Sequence, residues 1–200
     1  NKKEIIKKIN NVHALINPPR NVIDNLFLIN CNKLKWIHVG GAGIEDFLKR
    51  DFIKKKIILT NGKILQGPSV ADHAISLLLA LTRNLNYHIK KIKNIPRPVE
   101  LYKKSVLIFG TGGIGSLVAE RLNSFGMHVY GIDNEFVSLN AYYKKLLVFE
   151  ELGSIIGKVD ILICCAPFTK KTRDIFNKKL FSKMRKNSYF INVSRGTLVD

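Results

Sequence analysis

Acidic residues are scarce in this chain, with 15 Asp and Glu against 33 Lys and Arg in 200 residues. Cysteine is scarcer still. Cys31 and the adjacent pair Cys164 and Cys165 leave an odd thiol and show no C-x-x-C spacing. Neither a disulfide framework nor a zinc knuckle is encoded, no metal site is expected, and a reducing, cytoplasmic setting is the simpler expectation. Long apolar runs are also missing. The longest, Ala74 to Thr82, stops at Arg83, far short of the roughly 20 residues that a membrane-spanning helix needs. Six prolines and 14 glycines are too few for a collagenous or disordered chain.

Alanine is rare as well, at 8 residues, whereas Lys (25), Ile (25) and Asn (18) abound. That bias is the one expected when an AT-rich coding sequence favours such codons, and it accounts for the net charge of +18. The excess is spread over both halves in dispersed pairs such as Lys7-Lys8, Lys90-Lys91 and Lys178-Lys179, which read as solvated faces. Without a basic tail, an aromatic RNA-binding motif or zinc-finger spacing, no specific nucleic-acid partner is expected.

What the chain does contain is a succession of short apolar runs with helix-like segments between them. Val12 to Ile16, Leu34 to Val39 and Lys56 to Leu59 read as strands. Ser69, three residues before Asp72, reads as the capping-box start of a long helix over 69–90. His73 on its first turn reads as a packed or capping histidine. Asn94 to Pro98, with two prolines, then marks a domain boundary. Beyond it, Val106 to Phe109, His128 to Ile132, Val159 to Ala166 and Tyr189 to Val193 read as strands of a parallel sheet buried on both faces. Helices are expected over Ile114 to Phe125, Glu150 to Ile156 and Asn177 to Met184. The fold class is α/β with a doubly wound sheet.

One turn carries chemistry in its spacing. Gly110-Thr111-Gly112-Gly113-Ile114-Gly115 is G-x-G-x-x-G; it follows a strand, opens an amphipathic helix and is answered 18 residues later by Asp133 at the tip of the next strand. Gly110 permits the tight turn, Gly112 lets the backbone approach a pyrophosphate, and Gly115 lets helix and strand pack closely. The helix start, Gly113 and Ile114 included, offers free N–H groups and a positive dipole end to phosphates. Asp133 is suited to accept hydrogen bonds from ribose hydroxyls and to repel a 2′-phosphate, which points to NAD. A short-chain dehydrogenase would need a Tyr-x-x-x-Lys, which does not occur here.

Further along, Ala166-Pro167-Phe168-Thr169 with Thr172, and the segment Met184 to Asp200 (MRKNSYFINVSRGTLVD), follow the Rossmann turn in order. Together they resemble the D-isomer-specific 2-hydroxyacid dehydrogenases, a family that includes glyoxylate and hydroxypyruvate reductases, D-lactate dehydrogenases and phosphoglycerate dehydrogenases. The resemblance extends upstream, where Lys35 to Glu45 (KWIHVGGAGIE) looks like the substrate loop and Val70 to Arg83 like the interdomain helix. It implies a flavodoxin-like α/β substrate domain over 1–94, containing the interdomain helix 69–90, and an NAD-binding Rossmann domain over 99–200 that is incomplete at its C-terminal end.

The resemblance also implies roles. Arg195 would clamp the substrate carboxylate and polarise its carbonyl, with the backbone N–H groups of Ala42 and Gly43 helping to hold the carboxylate. Ala166, Pro167, Thr172, Val193 and Ser194 would line the cofactor cleft. The expected activity is hydride transfer between NAD and C2 of a small 2-hydroxy or 2-keto acid, in a homodimer formed through the cofactor domains. A non-catalytic, dinucleotide-sensing, corepressor-like protein of the same fold is the alternative. The family's general acid is a His oriented by a Glu, both downstream of Arg-Gly-x-x-Val-Asp; His13, His38, His73, His88 and His128 all lie elsewhere.

Overall fold

The structure is a computed structural model and describes residues 11–19, 31–41, 43–44, 47, 56–62, 65–134 and 140–200. They fall into two compact units, Asn1–Gln66 and Gly67–Asp200. In the first, β1 (Ala14–Ile16), β2 (Trp36–Val39) and β3 (Ile58–Asn61) form a parallel sheet in the order β1-β2-β3. Ile37 and Val39 point from β2 into a core with Cys31, Leu34 and Phe47, as the two-residue period of a strand requires. On the other face of β2, Trp36 Nε1 donates to Thr60 Oγ1 at 2.8 Å, and His38 Nδ1 lies 3.0 Å from the same oxygen.

The second unit holds β4 (Ser105–Phe109), β5 (His128–Ile132), β6 (Lys145–Leu147), β7 (Ile161–Cys164) and β8 (Tyr189–Asn192), all parallel, in the order β6-β5-β4-β7-β8. Successive strands run outward from β4 in one direction and then, from β7, in the other. The order therefore reverses between β4 and β7, where doubly wound sheets bind ligands beyond the carboxyl ends of their strands. Val106 and Ile108 face one core, Leu107 and Phe109 the other, and all four are fully buried. The first core is covered by α1 (Gly67–Thr82) and α3 (Gly113–Ser124). The second is rich in rings: Phe109 stacks on Phe149 at 4.7 Å and meets the edge of Phe176 at 5.2 Å. It is closed by the short helices α4 (Leu152–Ile155) and α5 (Lys178–Phe181).

Three expectations are corrected around α1. The helix starts at Gly67-Pro68, because proline's missing N–H and fixed φ suit a first turn, so Ser69 is internal rather than a cap. Asp72 instead takes Arg121 Nε at 2.8 Å, and His73 is exposed rather than packed. The expected helix over 69–90 is broken at Asn84, which adopts the left-handed conformation (φ 56°), leaving a separate α2 (Leu85–Ile89). The proline-rich segment does not separate two bodies: Asn84 Nδ2 donates to Pro96 O at 2.8 Å and Val99 N to Thr82 O at 2.8 Å. Ala71, Ala74 and Leu78 share one core with Val106 and Ile108, so α1 packs as part of the second unit. Among the described residues, no helix is long and apolar enough to cross a membrane.

Candidate functional site

The glycine turn lies at the carboxyl end of β4. Gly110 has φ +96°, and a Cβ there would come within 2.4 Å of Ala166 N, so the turn needs glycine for both its conformation and its approach to the chain leaving β7. At Gly115 a Cβ would stand 2.0 Å from Gly110 O and 3.3 Å from Ile108 Cγ2, which is the close helix–strand packing that the spacing implies. Gly112 caps α3 from an extended conformation without a side-chain cap. A Cβ at Gly112 or Gly113 would meet nothing within 4 Å, so open space adjoins the helix start, whose first amides have no intrahelical partners. Such a cradle of backbone donors at a positive dipole end fits a pyrophosphate.

Asp133 follows β5 beside this turn. Its Oδ2 accepts from Thr111 N at 2.7 Å and Thr111 Oγ1 at 3.3 Å, and its Oδ1 accepts from Asn134 N at 2.8 Å. Thr111 is buried, and Ser116 Oγ donates to its carbonyl at 3.0 Å. The carboxylate is therefore held at the edge of the open space by donors that keep it charged. Motif spacing identified Asp133 but gave no hint of Thr111, which occupies one of the motif's unconstrained positions.

Across the switch point, the chain leaving β7 is tied to β4 by Cys165 N donating to Phe109 O at 2.8 Å. Ala166 is buried and Pro167 exposed. Thr172 is buried, and its hydroxyl donates to Pro167 O at 2.9 Å while accepting from Thr169 N at 2.8 Å. Thr169 Oγ1 accepts in turn from Thr172 N at 3.1 Å. The paired threonines thus lock the turn, and the Thr172 hydroxyl is committed to its shape.

At the end of β8, Val193 N donates to Cys164 O at 3.1 Å, and the Ser194 hydroxyl makes a short bond to Ala166 O, joining the two loops. Asn192, to which the sequence reading gave no role, braces the exit. Its Oδ1 accepts from Ser194 N at 2.9 Å and its Nδ2 donates to Arg195 O at 2.9 Å. Arg195 is exposed, and its Nη1 donates to Ser194 O at 3.0 Å. Burial pushes the Cys164 thiol up to about 12, partly offset by the Ala166 backbone and the Ser194 hydroxyl. Burial likewise pushes Cys165 upward, so both thiols stay protonated and uncharged at neutral pH.

In the first unit, the loop after β2 is pinned by Gly62 N donating to Val39 O at 2.9 Å and by Gly40 N donating to Asn17 Oδ1 at 3.3 Å. Gly43 is buried on that loop, and Ala42 lies outside the described residues. His128 begins β5, at the opposite end of its strand from the glycine turn.

The comparisons with known proteins agree with this geometry. The model of the D-isomer specific 2-hydroxyacid dehydrogenase NAD-binding domain matches residues 75–200. The D-3-phosphoglycerate dehydrogenase of Methanocaldococcus jannaschii is 27% identical over 205 residues, covering 100% of this chain and 39% of that protein. The glyoxylate reductase of Pyrococcus furiosus is 26% identical over 212 residues, covering 100% and 63%. Among solved structures, a D-isomer specific 2-hydroxyacid dehydrogenase family protein from Aeromonas salmonicida superposes with TM-score 0.84 at 25% identity, covering 100% of this chain and 64% of that one. The D-lactate dehydrogenase of Aquifex aeolicus, solved with NAD and lactic acid, gives 0.78 at 25% identity, covering 98% and 60%. The chain thus spans less than two thirds of the length of these relatives.

Proposed function

The chain belongs to the D-isomer-specific 2-hydroxyacid dehydrogenases, and from that premise we propose that the protein transfers hydride between NAD and C2 of a small D-2-hydroxy or 2-keto acid. The observation that carries this reading is the carboxyl edge of the larger sheet. There an unfilled backbone cradle at Gly112 and Gly113, the anchored carboxylate of Asp133 and the guanidinium of Arg195 all sit on loops that leave parallel strands.

In this reading Gly110 to Gly115 hold the pyrophosphate, Asp133 accepts the ribose hydroxyls, and Ala166, Pro167, Val193 and Ser194 line the cleft. Thr172 acts by fixing the shape of the Pro167 turn. The nicotinamide supplies the hydride-transfer chemistry when bound. Arg195 binds the substrate carboxylate with its planar fork and polarises the keto oxygen, concentrating positive charge where negative charge develops. The proton comes from the His that the family resemblance places, with its orienting Glu, downstream of residue 200. The first unit carries the substrate loop, Gly43 included. Neither the fold nor the relatives favour the non-catalytic alternative.

The same reading takes the protein to be a cytoplasmic homodimer. Three free thiols support the reducing compartment, and exposed Leu85, Ile89 and Ile92 on and after α2 support a second copy. The decisive test is NADH oxidation by the full-length protein with glyoxylate or hydroxypyruvate, with Arg195→Ala alongside. The expected result is turnover that falls about 10²- to 10³-fold in kcat/KM in the variant, as when a charge-stabilising donor is removed. Undiminished turnover without Arg195 would overturn its assignment.

A further inference from the structure

A side chain that no motif marks lies beneath the cofactor turn. Gly131, in β5, carries no side chain where three others converge. A Cβ there would come within 2.6 Å of Thr111 Cγ2, 2.7 Å of Leu146 Cδ2 and 2.9 Å of Tyr143 Cδ1. Tyr143 is carried to this place by the backbone before β6, where Lys144 N donates to Val129 O at 2.7 Å. Its ring packs against the core under α3. Among the described residues, Tyr143 Oη is fully buried without a hydrogen-bond partner, although the Ser116 hydroxyl lies beside it. A phenol whose hydroxyl is buried and unsatisfied contributes through its ring, because the orphan oxygen costs stability.

The ring touches the floor on which Thr111 rests, and Thr111 supplies both an N–H and a hydroxyl to Asp133 Oδ2. A threonine has few accessible rotamers, and one whose methyl is enclosed has fewer. We propose that Tyr143 is a positioning residue that, by confining the Thr111 methyl over Gly131, fixes the Asp133 carboxylate and thereby sets discrimination between NAD and its 2′-phosphorylated form. A carboxylate anchored on both oxygens does not swing away from an incoming phosphate, so the full charge repulsion is felt. A loosened one retreats, and the penalty falls. This rests on the reading of the glycine turn as the dinucleotide site, and it adds residues outside the motif to the determinants of specificity.

The test is fluorescence titration of NADH and NADPH with the full-length protein and its variants, alongside thermal unfolding. Tyr143→Ala should narrow the NADPH-to-NADH Kd ratio by about fivefold or more, and Tyr143→Phe should keep the parent ratio. Leu152→Ala, a truncation in the other core, should lower the unfolding temperature without changing the ratio. Should Tyr143→Ala fail to fold, Thr111→Ser removes the same contact from the other side while keeping the hydroxyl, and should narrow the ratio in the same direction. An unchanged ratio in a folded Tyr143→Ala, or in Thr111→Ser if Tyr143→Ala does not fold, would overturn the proposal, as would a Tyr143→Phe that loses discrimination as fully as Tyr143→Ala. A parent protein that binds neither dinucleotide would overturn the reading of the turn itself, and the proposal with it.

Discussion

The two flanks of the crevice above the larger sheet are built from different materials. Beside β4 and β5, the groups offered to a ligand are backbone amides and one short carboxylate, all held by neighbours. Gly110 lies against Ala166, Gly115 against Gly110, and Asp133 on Thr111 and Asn134. Beside β8, the group offered is a long exposed side chain, Arg195, resting on its neighbour's carbonyl, while the loop below it is braced by Asn192, Ser194 and the Thr169–Thr172 pair. A backbone cradle takes its final shape when the chain folds. An exposed cation is aimed by the ligand that it meets, at a cost in side-chain entropy. The cofactor side is therefore pre-formed, and the substrate side is completed on binding.

The largest expected effect separates glycines that pack from glycines that face the ligand. Gly115→Ala forces a methyl group into the Gly110 carbonyl and should cost about 3 kcal/mol or more, as severe overpacking does. For a domain of this size that corresponds to roughly 6 to 12 °C in unfolding temperature. Gly112→Ala, with open space around it, should leave that temperature within about 2 °C and weaken NADH binding instead. If the two variants were equally unstable, the cradle would not be the open surface described.

A smaller effect lies in Cys164, which ends β7 beneath both flanks. Its folded thiol is raised to about 12 by burial from an ordinary 9.0, so the folded chain retains a proton that the unfolded chain loses. Its contribution to stability is complete below pH 9 and drains as pH rises toward 12, at about 1.4 kcal/mol per pH unit. Urea unfolding at pH 9 and 10 should show the parent losing about 1 kcal/mol more than Cys164→Ala. Parallel losses would show that this thiol does not titrate as its burial requires.

The same contrast explains what could be read from the letters. The strands of the larger sheet were legible because β4 and β7 are continuous apolar runs, and the glycine turn because its spacing states backbone geometry directly. The edge strand β6 was not: Lys145-Leu146-Leu147 is three residues long, follows another lysine and is held by its register on β5 from Tyr130 to Ile132. The break at Asn84 was missed because an apolar periodicity continues through it, and only the left-handed backbone and the bond to Pro96 reveal the end of α1. The partnership of Thr111 with Asp133 joins residues 22 apart through a contact that no local pattern encodes. Arg195 was found by resemblance, since nothing in its spacing distinguishes it from a surface arginine.

The most direct test of a pre-formed NAD cradle is a paired titration of NADH and NADPH by protein fluorescence. With Asp133 anchored beside the turn and Asn134 and Glu135 following it, NADPH should bind more weakly by about 1 to 3 kcal/mol, roughly 5- to 150-fold. Equal or tighter binding of NADPH would contradict the account.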